Sequence, residues 1–514
     1  MHKVYPLGMA GAPTPLHPWH AQTPRLGSDG EFAALRRLLE QSGYSEEGMC
    51  RRFGVERLIQ FMTPPAPELI AQPMADSLDA LIRLFFHSVF AEEAALATAL
   101  PPGGIALLDS LGLVARDPSR PEMIYGASAI LPAAGLLTVC DRGNHAPDGA
   151  LCDLPPDVVY PAIFDTTRRF LDALPQTPCD AMLDIGTGTG IAAILGARQA
   201  RRVWATDITP RAARFAEFNR RLAGLDNVTV LAGDMYAPVE GLTFDRIVIH
   251  PPYVPAAKSQ LIFRDAGEDG EQIIRRTVEG LPRFLRPAGR FYSLLMASDR
   301  ASESFEQRLR KWLGPEEAAF DIVVAARSLQ TPEEFLGYSL ARGGVPPENV
   351  PFLRSLWRET QTEAILYAAL LIERHDAAHP AITKRLQTGK GYTGRHLEWL
   401  LDWEKAAFAP GRAETLLNSR PAIAPDCERQ VVSRVRDGSF HEQEFAFQTN
   451  AGFRARHLCD RGLGQIISEC DGATTWREHY LRAQAEGLIP AEATAEEFAG
   501  LLVSFVADGI LRIS

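Results

Sequence analysis

Four apolar runs in the middle of the chain each end in residues suited to binding or acting on a ligand. The first ends at Asp184 and is followed by a glycine-rich turn at residues 186–190. The next three end near Asp207, Asp234 and His250. An apolar run, a tight turn and a helical pattern together predict a buried strand followed by a helix. Because ligands of open α/β sheets bind at the carboxyl ends of strands, we expect these residues to line one site.

The glycine-rich turn suits a ligand that lies close to the backbone. Gly186, Gly188 and Gly190 tolerate positive φ and leave no side chain between the turn and a ligand. An acid about 20 residues further on suits the two hydroxyls of a ribose, and Asp207 has this spacing. These two signals favour NAD and S-adenosylmethionine equally.

The charge that each cofactor carries distinguishes NAD from S-adenosylmethionine. A dinucleotide needs its pyrophosphate stabilised at a helix N-terminus, whereas a sulfonium cofactor has no phosphate and places positive charge near the turn, where Asp184 is useful. Asp234, with Met235 beside it, is suited to hold the amine and the face of an adenine. The four strand ends together favour S-adenosylmethionine, and a nicotinamide oxidoreductase is the least favoured alternative.

The fourth strand end carries the sequence His250-Pro251-Pro252-Tyr253. Two prolines stiffen a turn and lack N–H groups, so carbonyls are free to face a substrate. Tyr253 can stack on a planar amide or base. A neutral His250 offers one acceptor nitrogen. With an ordinary pKa of about 6.5 it could also act as a general base toward a hydroxyl, a carbon acid or an amine.

In these motifs the sequence resembles the class I S-adenosylmethionine-dependent methyltransferases over roughly residues 155–373. The segments that match are residues 183–190, 205–207, 232–234 and 244–255. Within the class, the chain is similar to the branch of release-factor glutamine and "small domain" RNA methyltransferases. That branch ends its fourth strand in Asn-Pro-Pro-Tyr and methylates nitrogens conjugated to a π system. His250 stands where that branch has Asn or Asp.

The resemblance implies a role for each strand end. The cofactor would be held by residues at the first three ends: Asp184, Gly186, Thr187, Gly188, Gly190, Asp207, Ile208, Asp234 and Met235. The methyl acceptor would be held at the fourth, by His250, Pro251, Pro252 and Tyr253. Methyl transfer from such a cofactor needs little covalent help, since alignment alone supplies up to roughly 7–11 kcal/mol in well-oriented systems.

The predicted function is S-adenosylmethionine-dependent N-methylation of a planar nitrogen, an amide or an exocyclic amine, in a protein or an RNA. One alternative is a small-molecule O- or C-methyltransferase that uses His250 as the base. Another is a non-catalytic cofactor-binding scaffold whose end domains recruit a partner. The sequence does not distinguish the acceptors, and it leaves open whether His250 orients or deprotonates one.

The chain is predicted to contain a flexible lead-in and three domains. Residues 1–27 form the lead-in, and residues 28–150 a helical, winged-helix-like domain. Repeated strand–helix units over residues 151–376 predict a Rossmann-like α/β domain with a parallel sheet. Residues 377–514 are predicted to form a small α+β, winged-helix-like domain. The helix predicted over residues 104–111 has no Arg or Lys, so the N-terminal domain is interpreted as a packing or docking module rather than a DNA reader.

Composition excludes several classes of protein. The 514 residues carry a net charge of −11 and are 46% hydrophobic, which favours packed cores and argues against non-specific DNA binding. Seven scattered cysteines without a CxxC pair predict a reducing cytoplasm and neither a disulfide framework nor a structural zinc site. No apolar run suits a bilayer span, so no membrane partner is expected. His375, Asp376 and His379 lack a further ligand pattern and are interpreted as surface residues, so no metal site is predicted.

Overall fold

The computed structural model describes residues 19, 22–61, 72–256, 261–342, 344–376 and 379–513. Most of the predicted lead-in, residues 1–18 and 20–21, lies outside the described residues. The chain divides into two compact units, Met1–Phe305 with Gln330–Ile365 and Glu306–Leu329 with Leu366–Ser514. The domain boundaries proposed from the sequence stay predictions.

The N-terminal part of the first unit is mainly helical. Its helices are Asp29–Gln41, Glu46–Phe53, Ser77–Leu81, Glu93–Ala99 and Gly104–Ser110, with a 3-10 turn at Leu58–Phe61 and a π-helical turn at Ile82–Phe86. Its strands are β1 (Ala91–Glu92), β2 (Val114–Asp117), β3 (Arg120–Gly126), β4 (Ala129–Ala133) and β5 (Leu136–Cys140). They form a three-stranded sheet in the order β1-β3-β2 and a separate β4-β5 hairpin. The helix predicted over residues 104–111 is present as Gly104–Ser110. The apolar pattern of residues 78–90 also predicts a helix, but the α-helix there spans only Ser77–Leu81 and is followed by the π-helical turn. The winged-helix likeness of this part stays a prediction.

The first helix shows why this part packs as it does. Ser28 caps Asp29–Gln41, because its side chain accepts from the N–H of Glu31 while the Glu31 carboxylate accepts from the N–H of Ser28. The helix buries four apolar side chains at helical spacing: Phe32, Leu35, Leu38 and Leu39. They share one core with apolar residues of a later helix, Pro210–Leu222. The N-terminal segment therefore packs directly on a helix of the central sheet.

The centre of the first unit is a five-stranded parallel sheet. Its strands are β6 (Cys179–Ile185), β7 (Ala200–Asp207), β8 (Val228–Ala232), β9 (Phe244–Ile249) and β10 (Leu285–Arg300). They follow the order β10-β9-β6-β7-β8, and each neighbouring pair is parallel. The strand order reverses between β6 and β9, and this is where ligands of such sheets bind. The predicted Rossmann-like sheet is confirmed.

Four helices connect or flank these strands: Asp165–Ala173, Ile191–Gly196, Pro210–Leu222 and Gln272–Phe284. The sequence pattern of residues 158–174 predicts one helix, but the predicted start is wrong, because the structure begins the helix at Asp165. Pro161 lacks a backbone N–H and disfavours helical geometry in the residue before it. Residues 158–164 therefore run as an irregular segment.

Two further helices and two 3-10 turns complete the first unit. The sequence pattern of residues 332–360 predicts an inserted helical segment, and the helices Pro332–Ala341 and Val350–Glu359 confirm it. The 3-10 turns are Ala237–Val239 and Pro347–Asn349. The two helices bury Leu336, Leu353 and Trp357 in one cluster.

The remaining strands and helices lie wholly or mostly in the second unit. Its strands are β11 (Phe320–Gln330), β12 (Thr362–Arg374), β13 (Thr383–Thr388), β14 (Pro421–Ile423), β15 (Glu428–Arg436), β16 (Ser439–Thr449), β17 (Phe453–Asp460) and β18 (Leu511–Ile513). Its helices are Phe305–Leu313, Gly394–Ala406, Arg412–Asn418, Arg461–Ser468, Trp476–Ala485 and Ala495–Ala507, with a 3-10 turn at Gly314–Ala319. Six strands follow the order β15-β16-β17-β13-β11-β12, and β14 pairs with β18.

Asp437-Gly438 lies between two alternating segments and therefore predicts a hairpin, which the structure confirms as β15-β16. Both residues have positive φ, 50° and 77°, as the two central residues of a type I′ turn require. Strand β17 was not predicted. Its exposed arginines alternate with less exposed residues, and this polar alternation gives a weaker signal than the apolar runs of the central sheet.

None of the helices among the described residues combines the length and the apolar character needed to cross a bilayer.

Candidate active site

A cavity of about 460 Å³ opens at the carboxyl ends of the central strands. Its walls include every residue predicted from the four strand ends except Gly190. The volume lies within the usual range for small-molecule and cofactor sites. Residues that are up to about seventy positions apart in the chain are thus brought together as the sequence predicts.

The three glycines of the turn serve different purposes. All have positive φ: 64° at Gly186, 56° at Gly188 and 82° at Gly190. A methyl group added at Gly186 or Gly188 would meet no atom within 4 Å, whereas one at Gly190 would lie 3.2 Å from Ala216. The first two glycines therefore leave open space above the turn. The third allows the helix Pro210–Leu222 to approach closely, which explains why Gly190 does not line the cavity.

Asp184 is a buried carboxylate beneath the turn, with 2% of the residue exposed. Its Oδ2 accepts from the Thr187 hydroxyl at 2.6 Å and from the Ala193 N–H at 3.1 Å. Burial raises the pKa of Asp184 to about 7, and the nearby charge of Asp207 contributes in the same direction. A positively charged ligand group beside Asp184 would favour its ionised form.

Asp207 ends β7 with its carboxylate fixed by three donors. Oδ2 accepts from the Gly188 N–H at 3.0 Å, and Oδ1 accepts from the Thr209 N–H and hydroxyl at 3.0 and 3.2 Å. Burial raises the pKa of Asp207 above its ordinary value. The next residue, Ile208, lines the cavity and is 55% exposed. This end of the cavity thus presents an oriented carboxylate beside an accessible apolar face.

Asp234 and Met235 lie on the same wall, together with a residue that the sequence did not predict. Arg276, from the helix Gln272–Phe284, donates to Oδ2 of Asp234 at 2.6 Å and also lines the cavity. Met235 has φ of 50°, which is uncommon for a residue other than glycine. Its carbonyl accepts from the Thr206 hydroxyl at 3.3 Å. The methionine is therefore held in a special backbone conformation beside the ion pair.

His250 lies in the cavity wall as a neutral imidazole. Its ring stacks on Phe170, with ring centroids 5.0 Å apart and planes 17° apart. Its Nε2 is shielded from solvent and has no hydrogen-bond partner among the described residues. Burial lowers the pKa of His250 to about 4. The ring is therefore uncharged at pH 7 and a weak base, and its Nε2 keeps its hydrogen-bonding capacity unused among the described residues.

The turn from Pro251 to Tyr253 is held by a neighbouring loop. The Val254 N–H donates to the Arg264 carbonyl, and the Ala266 N–H donates to the Val254 carbonyl, both at 3.0 Å. Gly270 has φ of 78°, and a side chain there would lie 2.7 Å from the Tyr253 carbonyl. The loop therefore pairs with the turn like a short strand and forms part of the cavity wall.

Three aromatic wall residues were missed by sequence reasoning: Tyr160, Phe170 and Phe263. Tyr160 stacks on Phe164 and on Phe263, with ring centroids 4.7 and 4.6 Å apart, and burial raises its pKa. The available signal was the position of Tyr160 and Phe170 just before the glycine turn. Their contacts with Phe263 and His250 depend on long-range packing.

Two buried polar residues, Asn219 and Asp141, hold segments that form the site. The amide of Asn219 bonds to the backbone N–H and C=O of Val139 and donates to the Thr189 carbonyl, all at 2.8 Å. It therefore ties β5 to the glycine turn. Asp141 pairs with Arg211 and accepts from the N–H of Val159, a cavity residue, at 2.8 Å. A polar Asn inside an apolar helix face was the one sequence signal for this network.

The interpretation of His375 and His379 as surface residues is wrong. Only 8% and 10% of their side chains are exposed. The structure places both next to Asp321, which comes 54 residues before His375. Asp376 is exposed, as predicted.

The central domain matches one protein family and is similar in sequence to several known proteins. The family model described as "Methyltransferase small domain" matches residues 160–317. The release factor glutamine methyltransferase of Moorella thermoacetica is 37% identical over 138 residues, 24% of this chain and 48% of that protein. A Methanocaldococcus jannaschii protein named for protein N5-glutamine methyltransferase activity is 31% identical over 149 residues, 28% of this chain and 74% of its own. The ribosomal protein uL3 glutamine methyltransferase of Bradyrhizobium diazoefficiens is 32% identical over 169 residues, 30% of this chain and 53% of its own.

The chain spans about half the length of the first and third of these relatives. The cavity fits the cofactor of such proteins, because it offers open space over Gly186 and Gly188, a buried carboxylate at Asp184 and an oriented one at Asp207. With one relative matched over 74% of its length, the chain belongs to the class I S-adenosylmethionine-dependent methyltransferases, in the branch of the methyltransferase small domain and the protein glutamine methyltransferases.

Proposed function

We propose that the protein methylates a planar nitrogen, and specifically the side-chain amide of a glutamine in a protein. The observation that carries this proposal is the neutral His250, a residue of the cavity wall beside the Pro-Pro-Tyr turn. Its buried Nε2 has no hydrogen-bond partner among the described residues. The names of the three relatives support glutamine as the acceptor. The cofactor, when bound, supplies an electrophilic methyl group.

The cofactor contacts follow from the strand ends. Asp184 and the turn from Gly186 to Gly190 would hold the methionine portion, where a buried carboxylate and open backbone meet. Asp207 would bind the ribose hydroxyls, with its carboxylate already aligned by backbone donors. Ile208 and Met235 would flank the adenine, while Asp234 accepts from its amine through Oδ1 because Arg276 takes Oδ2.

His250 would do the work that Asn does in related methyltransferases. A neutral imidazole nitrogen can accept one N–H of an acceptor amide and so direct the nitrogen toward the cofactor. Tyr253 and the aromatic wall would stack on the amide plane. Since the pKa of His250 is lowered to about 4, orientation is favoured over removal of a proton. O- or C-methylation with His250 as base is disfavoured for the same reason.

The N-terminal and C-terminal parts of the chain are proposed to be accessory modules. The helices and the β2-β3 hairpin before residue 150 support a winged-helix-like module that docks a partner or packs on the central domain. The hairpin and helices after residue 377 support a second such module. The seven cysteines are all free, in keeping with a cytoplasmic protein.

The acceptor class can be tested directly. The protein is incubated with cofactor labelled in its methyl group and with lysate fractionated into protein, RNA and small molecules. We expect label in the protein fraction, and mass spectrometry should place it on a glutamine side chain. Label confined to RNA or to small molecules would contradict the proposed acceptor. Cofactor binding by calorimetry without label in any fraction would favour the non-catalytic scaffold.

A further inference from the structure

Three potential metal ligands meet in the second unit, away from the cofactor-binding residues in the sequence. Asp321 is the second residue of β11, His375 directly follows β12, and His379 precedes β13. The ligand atoms of these three side chains all lie within 4.8 Å of one another. The cluster therefore joins the ends of three strands.

Asp321 has one satisfied and one unsatisfied oxygen. Oδ1 accepts from the Ile382 N–H at 2.8 Å and lies 2.9 Å from Nε2 of His375. Oδ2 is buried and has no hydrogen-bond partner among the described residues, and the side chain is 0% exposed. A buried carboxylate oxygen without a donor is costly unless a cation or another donor faces it.

Nε2 of His379, which also lacks a hydrogen-bond partner among the described residues, lies near Oδ2 of Asp321. Its Nδ1 lies 3.0 Å from the carbonyl of Pro380, and because a carbonyl only accepts, Nδ1 carries the proton. In the neutral ring, Nε2 is then an acceptor. It is buried without a hydrogen-bond partner in the described chain and lies 3.5 Å from Oδ2 of Asp321. This distance exceeds the roughly 2.7–2.9 Å of a charge-assisted hydrogen bond.

The same distance suits two ligands of one metal ion. Tetrahedral bonds of about 2.0–2.1 Å to nitrogen and oxygen place neighbouring ligands about 3.3–3.4 Å apart. A histidine that binds a metal usually donates its other N–H to a carbonyl or carboxylate, as Nδ1 of His379 does to Pro380. The His379 ring is also held between His375, 3.8 Å away, and Phe408, 5.7 Å away.

We propose that Asp321, His375 and His379 bind a divalent transition-metal ion of the zinc type. The ion would take Oδ2 of Asp321 and Nε2 of His379, which lack hydrogen-bond partners among the described residues. It would also take Nε2 of His375, whose neutral ring would then carry its proton on Nδ1. Water would complete the tetrahedron. The bound ion would link Asp321 at the start of β11 to His375 after β12 and to His379 before β13.

Cobalt provides a visible probe of this site. The full-length protein is treated with a chelator, titrated with CoCl₂ and then challenged with ZnCl₂. We expect one equivalent of Co²⁺ to bind with the visible absorption of a tetrahedral ion and to be displaced by Zn²⁺. His379→Ala and Asp321→Asn should both lose this equivalent. His441→Ala, which removes an exposed histidine of β16, should keep it.

Circular dichroism establishes that each variant is folded, and a second readout is thermal stability. ZnCl₂ should raise the melting temperature of the wild type and of His441→Ala but not of His379→Ala. Folded wild type that binds no Co²⁺ would overturn the proposal. So would an unchanged cobalt spectrum in a folded His379→Ala or Asp321→Asn variant. If one variant fails to fold, the other decides.

Discussion

The imidazole of His250 stacks on the ring of Phe170, with centroids 5.0 Å and planes 17° apart. Phe170 belongs to the helix Asp165–Ala173 and is 3% exposed. The residue that fixes the plane of the acceptor-side histidine therefore comes from outside the His-Pro-Pro-Tyr motif, from an element that precedes the glycine turn. The orientation of His250 is thus a property of tertiary packing.

Shortening Phe170 should impair methyl transfer more than cofactor binding. In Phe170→Leu the imidazole loses its stacking partner and becomes free to rotate, and misplacement of a reacting group by about 1 Å can cost up to about 100-fold in rate. We expect kcat to fall by about 10- to 100-fold while the affinity for S-adenosylmethionine, measured by calorimetry, changes less than about threefold. Phe440→Leu, at a position 78% exposed, is the control. Equal losses of kcat and cofactor affinity would show that Phe170 acts on the whole cavity.

Removing the charge of Asp207 should weaken cofactor binding. The Asp207 carboxylate is proposed to accept both ribose hydroxyls, and hydrogen bonds to a charged group contribute about 1.5–3 kcal/mol each. We expect Asp207→Asn to raise the Kd for S-adenosylmethionine by at least about 10-fold. Asp226→Asn, at an exposed position, should leave the Kd unchanged. An unaltered Kd in folded Asp207→Asn would refute the cofactor assignment.

Asp184 should make cofactor affinity depend on pH. Its pKa is raised to about 7, so it is mainly protonated below pH 7 in the free protein. A cationic ligand favours the carboxylate, and binding below pH 7 must therefore release a proton. Affinity should rise with pH up to about 7 and level off above it, with a slope of at most about tenfold per pH unit.

Calorimetry between pH 5.5 and 8.5, in buffers of different ionisation enthalpy, would measure both the affinity and the proton release. Asp184→Asn provides the comparison, because it has no such proton and experiences the same titration of the ligand. The pH dependence attributed to Asp184 is the difference between the two proteins. Parallel profiles for wild type and variant would show that Asp184 does not face the charge of the cofactor.

The residues at the strand ends were predictable from the sequence because a local pattern marks each of them. An apolar run, a glycine turn or an acid in sequence identifies Asp184, Asp207 and Asp234 without knowledge of the fold, and parallel strands then bring them to one edge. The predicted start of the helix before the glycine turn was wrong, because Pro161 interrupts an apolar pattern that is otherwise typical of a helix.

Partners distant in sequence were not predictable in this way. The stacking of Phe170 on His250 and the cluster of Asp321 with His375 and His379 join residues that are 54 or more positions apart. No local spacing distinguishes a buried histidine of this kind from a surface histidine. The lowered pKa of His250 likewise depends on burial by its surroundings.

The Asn219 network gives a prediction about stability. Asn219 is 2% exposed and makes hydrogen bonds to Val139 and to Thr189. In Asn219→Ala these backbone groups lose their partner, and each buried unsatisfied group costs about 1–3 kcal/mol. We expect the free energy of unfolding in urea to fall by about 2–4 kcal/mol. Asn418→Ala, at an exposed helix position, should stay within about 0.5 kcal/mol of wild type.

The central claim is that a neutral His250 orients a planar nitrogen for methylation. The most direct measurement compares wild type, His250→Asn and His250→Ala in transfer of labelled methyl groups to the protein fraction, with cofactor affinity measured in parallel. We predict that His250→Asn keeps transfer within about tenfold of wild type, because the amide oxygen can accept the same N–H. His250→Ala should lose it while still binding the cofactor. Loss in both variants would indicate a base, and wild-type transfer in both would remove His250 from the mechanism.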